Sequence, residues 1–167
     1  MNLLKILFKL EYYLKGITNR IKRVYMYSKF KSVGKDVRIN TNCKLYWPEN
    51  MDFKNHIFIE EGAHLSCREG LSIGNHVMIG PNVTIIGGDH SYEDTETEMW
   101  NHSKGIDKKI IIEDDVWIGA NVTLLKNAHI AKGCVIGACS VVTKKTEPYG
   151  VYIGNPAKFI KSRKANL

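Results

Sequence analysis

An aliphatic residue returns at every sixth position between Ile112 and Val142, and this period limits how the chain can fold more than any other feature. An α-helix repeats every 3.6 residues and a half-buried strand every 2, so neither alone accounts for a period of six. Short strands joined by tight turns do account for it, when successive turns stack and point their aliphatic side chains to a shared axis. The aliphatic positions are Ile112, Ile118, Leu124, Ile130, Ile136 and Val142, and the small or branched side chains four residues later are Val116, Val122, Ala128, Cys134 and Ser140.

The same period occurs nearer the N-terminus in other phases, and an insertion interrupts it. Ile85 and Ile112 are twenty-seven positions apart, four sixes plus three, so a non-repeating segment at residues 87–109 separates two repeating runs. In a solenoid such an insertion loops out on one face, often the binding face. The repeat is loose over residues 33–61, which predicts irregular first coils. The earlier repeat positions are Ile59, Leu65, Leu71, Ile73, Ile79 and Ile85, with Val33 and Ile39 as a weaker run, and the pattern is broken by Tyr46, Trp47, Pro48 and Phe53.

These patterns predict a mainly β protein, a single parallel β-helix with an appendage at each end. The β-helix spans residues 33–161 and contains the excursion loop at residues 87–109. A basic amphipathic α-helical segment precedes it at residues 1–31, and a basic tail follows at residues 158–167.

The positive charge of the chain is concentrated in its first 35 residues, which hold nine basic residues and one acidic residue, a net charge of +8. Apolar residues at helical spacing predict two helical pieces there, parted at Gly16. One interpretation is a helix resting on an anionic membrane surface. The alternative, which we favour, is a helix packed on the end of the solenoid and capping its open edge. No nucleic-acid-binding motif accompanies the basic residues, so a nucleic-acid partner is not predicted.

The compartment predicted from the sequence is the cytoplasm. Lys5, Lys9 and Glu11 interrupt the apolar start, which argues against a cleavable signal, and no apolar run approaches the ~20 residues of a membrane span. The cysteines show no metal-binding spacing and fall mostly in the coils, so buried free thiols in a reducing compartment are expected. They are Cys43, Cys67, Cys134 and Cys139.

His90 stands apart from the five other histidines because it follows a coil directly, behind Gly87 and Gly88. Two glycines allow close approach of the backbone. An imidazole is the usual side chain for taking a proton at neutral pH. No serine or cysteine nucleophile elbow accompanies it, so direct general-base catalysis is favoured over a covalent route.

Several stretches in a fixed order resemble the hexapeptide acyltransferases. They are IGPNVTI at residues 79–85 followed by Asp89-His90, DVWIGANV at 115–122, VIGACSVVTK at 135–144 and GNPAK at 154–158. The resemblance is closest to the group that contains galactoside, maltose, nodulation-factor and streptogramin acetyltransferases, with capsule and O-antigen O-acetyltransferases. It covers roughly residues 59–161 and not the N-terminal segment.

The resemblance implies a left-handed parallel β-helix, itself an exception to the right-handed crossover rule. It also implies a homotrimer with active sites between neighbouring subunits, acetyl-CoA as cosubstrate and no metal. The expected reaction is O-acetylation of a sugar hydroxyl, in the biosynthesis of a surface polysaccharide such as capsule or O-antigen. The apolar, basic N-terminus suits a lipid-linked acceptor, and the expected location is the cytoplasm or the inner face of the membrane.

Site residues follow from matching the family's motifs to this sequence. His90 matches the base that deprotonates the acceptor hydroxyl, and Trp117 matches a position lining the pantetheine and acceptor end. Asp89 and Trp100 lie in the loop and are candidates for the acceptor side. The remaining cofactor positions are Ala120 and Ala138 on the pantetheine arm, Thr143 and Lys144 near the nucleotide, and Lys158 and Lys161 facing the phosphates.

One departure concerns Lys158 and Lys161, because the family often has arginine there. Lysine keeps the charge but loses the bidentate fork, and Arg163 is the residue that could compensate.

Three other functions compete with this one. A γ-type carbonic anhydrase needs three zinc-binding histidines, usually with a His-x4-His pair, and no such pair occurs in the sequence. O-acetylation of an antibiotic of the streptogramin type is closer and stays an alternative. A non-catalytic scaffold is disfavoured because His90, Trp117 and the Thr143-Lys144 pair are all present together.

Overall fold

A computed structural model describes residues 3–164 of the chain, which form one helix and a stack of short strands. The helix α1 spans Leu3–Tyr27. Two single 3-10 turns lie at Pro48–Asn50 and Met99–Asn101. The strands are β1 (Ser32–Val33), β2 (Val37–Ile39), β3 (Lys44–Tyr46), β4 (Met51–Phe53), β5 (Ile57–Ile59), β6 (His64–Ser66), β7 (Leu71–Ile73), β8 (Val77–Ile79), β9 (Thr84–Ile86), β10 (Ile110–Ile112), β11 (Trp117–Ile118), β12 (Thr123–Leu124), β13 (His129–Ile130), β14 (Val135–Ile136), β15 (Val141–Val142), β16 (Gly150–Ile153) and β17 (Lys158–Ser162).

The strands form three sheets. From β1 to β15 the chain visits them in turn, so each of these coils contributes one strand to each sheet, whereas β16 and β17 both join sheet B. Sheet A has the order β1-β4-β7-β10-β13, and sheet C has the order β15-β12-β9-β6-β3. Sheet B has the order β17-β16-β14-β11-β8-β5-β2. All pairings are parallel except that of β16 with β17. The prediction of a mainly β solenoid with an N-terminal helix is confirmed.

The six-residue period marks the residues that fill the axis of the solenoid. Every aliphatic position from Ile112 to Val142 is buried, as are the small and branched positions between them. Ser140 is the polar member of that set, and its Oγ accepts a hydrogen bond from Gly154 N at 3.0 Å. Burying these side chains is the main favourable term for such a fold, at about 25 cal/mol per Å² of apolar surface.

Of the four cysteines, two are buried, one is half-buried and one is exposed. Cys67 and Cys134 are buried in the core, and burial raises the pKa of the Cys67 thiol to about 12, so that thiol stays protonated and unreactive. Cys43 is half-buried. Cys139 is exposed at a turn with a positive φ, which corrects the expectation for this residue.

The first coils are regular rather than irregular, because the additional residues lie in their turns. Ile57 pairs with Val77 twenty positions later, whereas Trp117 pairs with Val135 eighteen positions later. The additional residues occupy the turns that lead from sheet C to sheet A. Phe53, which breaks the six-residue period, is a buried core residue of β4. The prediction of irregular first coils was therefore wrong.

Helix α1 is continuous through Gly16 and is exposed along nearly all of its length, which corrects two expectations. A single glycine costs a helix only about 1 kcal/mol relative to alanine, too little to divide it. Only the last turns of the helix meet the solenoid: Tyr27 Oη donates to Val37 O at 2.6 Å, and Thr41 Oγ1 donates to Asn19 Oδ1 at 3.2 Å. Phe30, just beyond the helix, packs edge-on against Phe53 at 4.8 Å between ring centres. The end of the solenoid is capped by these last turns and not by the whole length of the helix.

The basic tail continues as strand β17, which pairs antiparallel with β16. Residues 1–2, and residues 165–167 of the predicted tail, lie outside the described part of the chain. No helix within residues 3–164 has the length and apolar character needed to cross a membrane.

Candidate active site

The turns from sheet C to sheet A stack on one another, and the predicted insertion belongs to this stack. We call it the C–A corner. It comprises residues 47–50, 67–70, 87–109 and 125–128, together with 143–144, which lead to the bridge of Lys145 with His129 of sheet A. Each coil therefore adds side chains directly above or below those of the insertion, which is how residues far apart in sequence meet around His90.

The base of the insertion is held by backbone hydrogen bonds on both sides of His90. His90 forms an antiparallel bridge with Lys104, and Gly105 N donates to Asp89 O at 3.0 Å. Lys108 N donates to Gly87 O at 2.9 Å. A Cβ on Gly87 would lie 2.7 Å from Lys108 O, so the expected close approach of the backbone at this glycine is present. His90 is thus exposed but carried on a pinned segment.

The tip of the insertion is organised by its own polar side chains. Asp94 accepts hydrogen bonds from Glu96 N at 2.9 Å and from Thr97 Oγ1 at 2.6 Å. The ring of His102 forms a 2.8 Å hydrogen bond with Thr97 O. Trp100 is 95% exposed, so its aromatic face is open to a ligand or to another protein surface.

Asp89 links His90 to Lys126 through its two carboxylate oxygens. Oδ1 accepts from His90 N at 2.8 Å, and Oδ2 lies 2.7 Å from Lys126 Nζ of the next coil. The hydrogen bond from Lys126, followed by that from His90, holds the pKa of Asp89 below its usual range. The same contact raises the pKa of Lys126. Both groups are therefore charged at neutral pH, and the pair ties the insertion to the coil below it.

A pocket of about 230 Å³ lies beside His90 and is formed by three consecutive layers of the C–A corner. The first layer contributes Trp47 and the second Arg68, whose guanidinium carbon is 5.3 Å from the centre of the Trp47 ring. Arg68 Nε is 3.6 Å from Asp107 Oδ2, in the insertion. An aromatic face beside charged hydrogen-bonding groups is the lining expected for a polar ring. The pocket is lined by Trp47, Ser66, Arg68, Ile86, Gly88, Asp89, His90, Lys104 and Asp107.

Sequence reasoning did not identify Trp47, Arg68, Asp107 or Lys126. The available signal was the coil length, because Trp47 and Gly87 are two lengths of twenty residues apart and so fall on the same corner. A six-residue count does not reveal it, since the additional turn residues shift the phase.

Three of the predicted cofactor residues, Thr143, Lys144 and Lys158, line one pocket of about 190 Å³ at the C-terminal end of the solenoid. Lys161 lies apart from that pocket, on β17 opposite Val151. Arg163, considered as a compensating charge, donates from Nη1 to Gly133 O at 2.6 Å and to Asp115 Oδ2 at 3.3 Å. It is therefore already engaged with the solenoid.

Trp117, Ala120 and Ala138 lie on a different edge of the chain. Trp117 is 52% exposed on the outer face of sheet B, and the two alanines occupy successive turns between sheets B and C. Cys139 N donates to Ala120 O at 2.9 Å, which keeps these turns in register. Within one chain the predicted pantetheine positions and His90 thus occupy separate edges. Among residues 3–164 no group of three His, Cys, Asp or Glu side chains is arranged to hold a metal ion.

Residues 109–144 match the family described as bacterial transferase hexapeptide (six repeats). The chain is 34% identical over 125 residues to the galactoside O-acetyltransferase of Lactococcus lactis strain IL1403, covering 71% of this chain and 59% of that protein. It is 30% identical over 115 residues to WbbJ, a candidate O-acetyltransferase of lipopolysaccharide biosynthesis in Escherichia coli K12, covering 65% of this chain and 59% of that one. The chain thus spans 59% of the length of each of these relatives.

Two crystal structures are similar over most of the chain. One is a hexapeptide-repeat acetyltransferase of Vibrio cholerae O1 in complex with acetyl coenzyme A, with 28% identity and a TM-score of 0.78, covering 86% of this chain and 76% of that one. The other is a maltose O-acetyltransferase from Clostridium difficile 630, with 30% identity and a TM-score of 0.77, covering 84% and 73%. The chain belongs to the hexapeptide-repeat acetyltransferase family.

Proposed function

We propose that the protein transfers an acetyl group from acetyl-CoA to a hydroxyl of a sugar, with His90 as the general base. The observation that carries this proposal is an exposed imidazole on a pinned segment, next to a pocket with an aromatic wall and charged hydrogen-bonding groups. The neutral imidazole takes the proton of the acceptor hydroxyl as its oxygen attacks the thioester carbonyl carbon. The C–S bond then breaks, and the imidazolium returns the proton to the departing CoA thiolate.

The pocket beside His90 is the proposed acceptor site. The part of the Trp47 ring that Arg68 leaves exposed suits a pyranose ring, and Arg68 and Asp107 offer a donor and an acceptor for its hydroxyls. Trp100 offers a second aromatic face on the insertion, and Asp89 stays a candidate on the acceptor side. The similar galactoside and maltose acetyltransferases support a sugar as the acceptor.

The proposed acetyl-CoA site is supported by charge and by the similar Vibrio cholerae structure, which holds acetyl coenzyme A. Lys144 and Lys158 meet at one pocket beside Thr143, and two ammonium groups suit phosphates of the nucleotide. Lys161 adds a further charge on β17. Backbone groups of Ala120 and Ala138 would contact the pantetheine arm, and Trp117 would line its end.

A cyclic homotrimer would complete this site. Phe58, Met78 and Trp117 are neighbours in register on the outer face of sheet B, and each is exposed. A neighbouring subunit packed there would bury this apolar row and bring a second chain's His90 to the edge that carries Trp117. A stable monomer near 19 kDa in sedimentation at micromolar concentration would argue against it.

The pathway that fits is the synthesis of a surface polysaccharide such as capsule or O-antigen, on the cytoplasmic face of the membrane. The similarity to WbbJ and the basic, apolar N-terminus support this choice.

The test is an acceptor screen with acetyl-CoA, in which CoA release and product mass are followed. Wild-type protein is expected to acetylate a sugar hydroxyl, whereas His90→Ala is not. His102→Ala, on the same insertion, is the matched control and should keep most of the activity. Turnover with a streptogramin or another antibiotic, and with no sugar or glycan, would contradict the proposed acceptor.

A further inference from the structure

One face of helix α1 is apolar along its whole length and is turned away from the solenoid. Its side chains recur every three or four residues and are between about half and two-thirds exposed. The opposite side of the helix meets the first coils, where Asn19 Oδ1 is 3.2 Å from Thr41 Oγ1. The chain's own solenoid therefore does not cover this face. Its residues are Leu7, Leu10, Leu14, Ile17, Ile21 and Val24.

The charge of α1 favours an anionic lipid surface over a second copy of the helix as the partner of this face. Glu11 is the one acidic residue between Leu3 and Tyr27, and its carboxylate is 2.7 Å from Lys15 Nζ. Copies of the helix packed side by side would bring basic residues together without acidic partners. An anionic lipid surface supplies the missing negative charge, at about 1 kcal/mol per Lys or Arg near it. The basic residues of α1 are Lys5, Lys9, Lys15, Arg20, Lys22 and Arg23.

These charges recur along the entire helix, so α1 is not suited to crossing a bilayer. An apolar stripe with basic residues on its flanks is instead typical of a helix that lies in the plane of the interface. Tyr13, at the edge of the apolar face, adds an exposed aromatic ring of the kind that concentrates at that depth.

The pocket beside His90 adjoins a cleft beside α1, and this bears on the kind of acceptor that the protein can bind. A cleft of about 350 Å³ separates the last turns of the helix from the first coils, and both Lys22 and Lys29 line it. Pro48 lines the same cleft, whereas Trp47, its neighbour in sequence, lines the pocket beside His90. A ligand extending from one to the other would hold an anionic group between two lysines and a ring against Trp47.

We propose that α1 lies in the surface of an anionic lipid bilayer and that the acceptor is a glycan joined through a phosphate to a lipid of that bilayer. The second half rests on the proposed function, because it takes the pocket beside His90 as the acceptor site. The first half stands on the helix alone.

Vesicle sedimentation with the full-length protein tests the first half. Vesicles of phosphatidylcholine alone are compared with vesicles that also contain phosphatidylglycerol. Leu14→Glu puts a carboxylate on the apolar face, and Tyr12→Glu puts the same charge on an exposed position outside that face. Wild-type protein should bind the anionic vesicles, and Leu14→Glu should lose about tenfold or more in affinity while Tyr12→Glu loses at most about fivefold.

Three outcomes would contradict the proposal that α1 lies in the surface of the bilayer. They are failure of the wild type to bind anionic vesicles, equal losses for the two variants, and a change in oligomeric state on Leu14→Glu in the absence of lipid. The last result would assign the face to a second copy of the chain.

The acceptor half is tested with one sugar offered free, as its soluble phosphate, and linked through phosphate to a lipid in anionic vesicles. Leu14→Glu should leave turnover of the two soluble forms unchanged and lower kcat/KM for the vesicle-borne form about tenfold or more. Equal activity on all three forms would overturn the lipid-linked acceptor. Vesicle binding without acetylation of any sugar would leave the bilayer standing and remove the proposed function.

Discussion

A Cβ on Gly119 would lie 2.7 Å from the backbone nitrogen of Ala138, so consecutive turns between sheets B and C touch through their main chains. Backbone atoms cannot move aside as a side-chain end can. Gly119→Ala should therefore force the two coils apart and lower the free energy of unfolding by about 1–3 kcal/mol, measured by urea denaturation.

Gly16→Ala is the matched control, because nothing lies within 4 Å of the Cβ it adds in the exposed helix. It should leave unfolding of the solenoid unchanged and raise helix stability by up to about 1 kcal/mol. Equal effects of the two substitutions would contradict the close contact between the coils.

The pair formed by Lys126 and Asp89 predicts a positioning role next to the proposed base. Lys126→Ala should free the carboxylate that holds His90 N and lower kcat roughly tenfold, with the KM for acetyl-CoA unchanged. Lys126→Arg should restore most of kcat, since it keeps the charge. If Lys126→Ala lowered kcat and the melting temperature together, and Lys126→Arg restored neither, Lys126 would have only a structural role.

The pH dependence of stability should carry a contribution from Asp114. Its carboxylate accepts hydrogen bonds from Asn75 N at 2.7 Å and Asn75 Nδ2 at 3.1 Å, and these hold its pKa below the usual value. A lowered pKa in the folded state contributes stability above the unfolded-state pKa, and that contribution is lost as the pH falls through the folded-state pKa. Asp114→Asn, which copies Asn55 and Asn75 of the preceding coils, should flatten the acid limb of a melting-temperature profile below about pH 4.

If the acid limb of the melting-temperature profile were unchanged in Asp114→Asn, the stability lost at low pH would come from other carboxylates. The comparison requires nearly equal melting temperatures at neutral pH, which the amide oxygen makes possible by accepting the same hydrogen bonds.

The two lysines at the C-terminal pocket should affect binding of acetyl-CoA more than the chemical step. Lys144→Ala and Lys158→Ala should each raise the KM for acetyl-CoA about tenfold with little change in kcat, because a phosphate contact is equally strong in the ground state and transition state. Lys54→Ala removes an exposed lysine that follows β4 and should change neither constant. A tenfold loss of kcat at constant KM would contradict this placement.

The six-residue period was enough to predict the core, because the distance between inward-facing positions is set by strand and turn length alone. Ile118 and Leu124 are buried where the period places them. The lengths of the turns at the C–A corner do not follow from that period, so Trp47 and Arg68 could not be assigned to the layers beside His90. The two-piece helix failed for a different reason, since one glycine is outweighed by the helix formers around it.

The sequence could not show what the N-terminal helix packs against, for a further reason. The same apolar spacing serves a helix packed on protein and a helix lying on lipid. Only the exposure of Leu14 and Ile21 distinguishes these arrangements for the single chain.

The measurement closest to the central claim is acetyl transfer to a hydroxyl acceptor by His90→Ala protein that is folded and still binds CoA. General-base catalysis typically contributes roughly 10²- to 10⁴-fold, so the variant should lose that factor in kcat while its CoA affinity stays within about twofold. His90 is exposed and its side chain is not part of the core, so the substitution should leave the melting temperature unchanged. Activity within about threefold of the wild type would remove His90 from the mechanism and contradict the account.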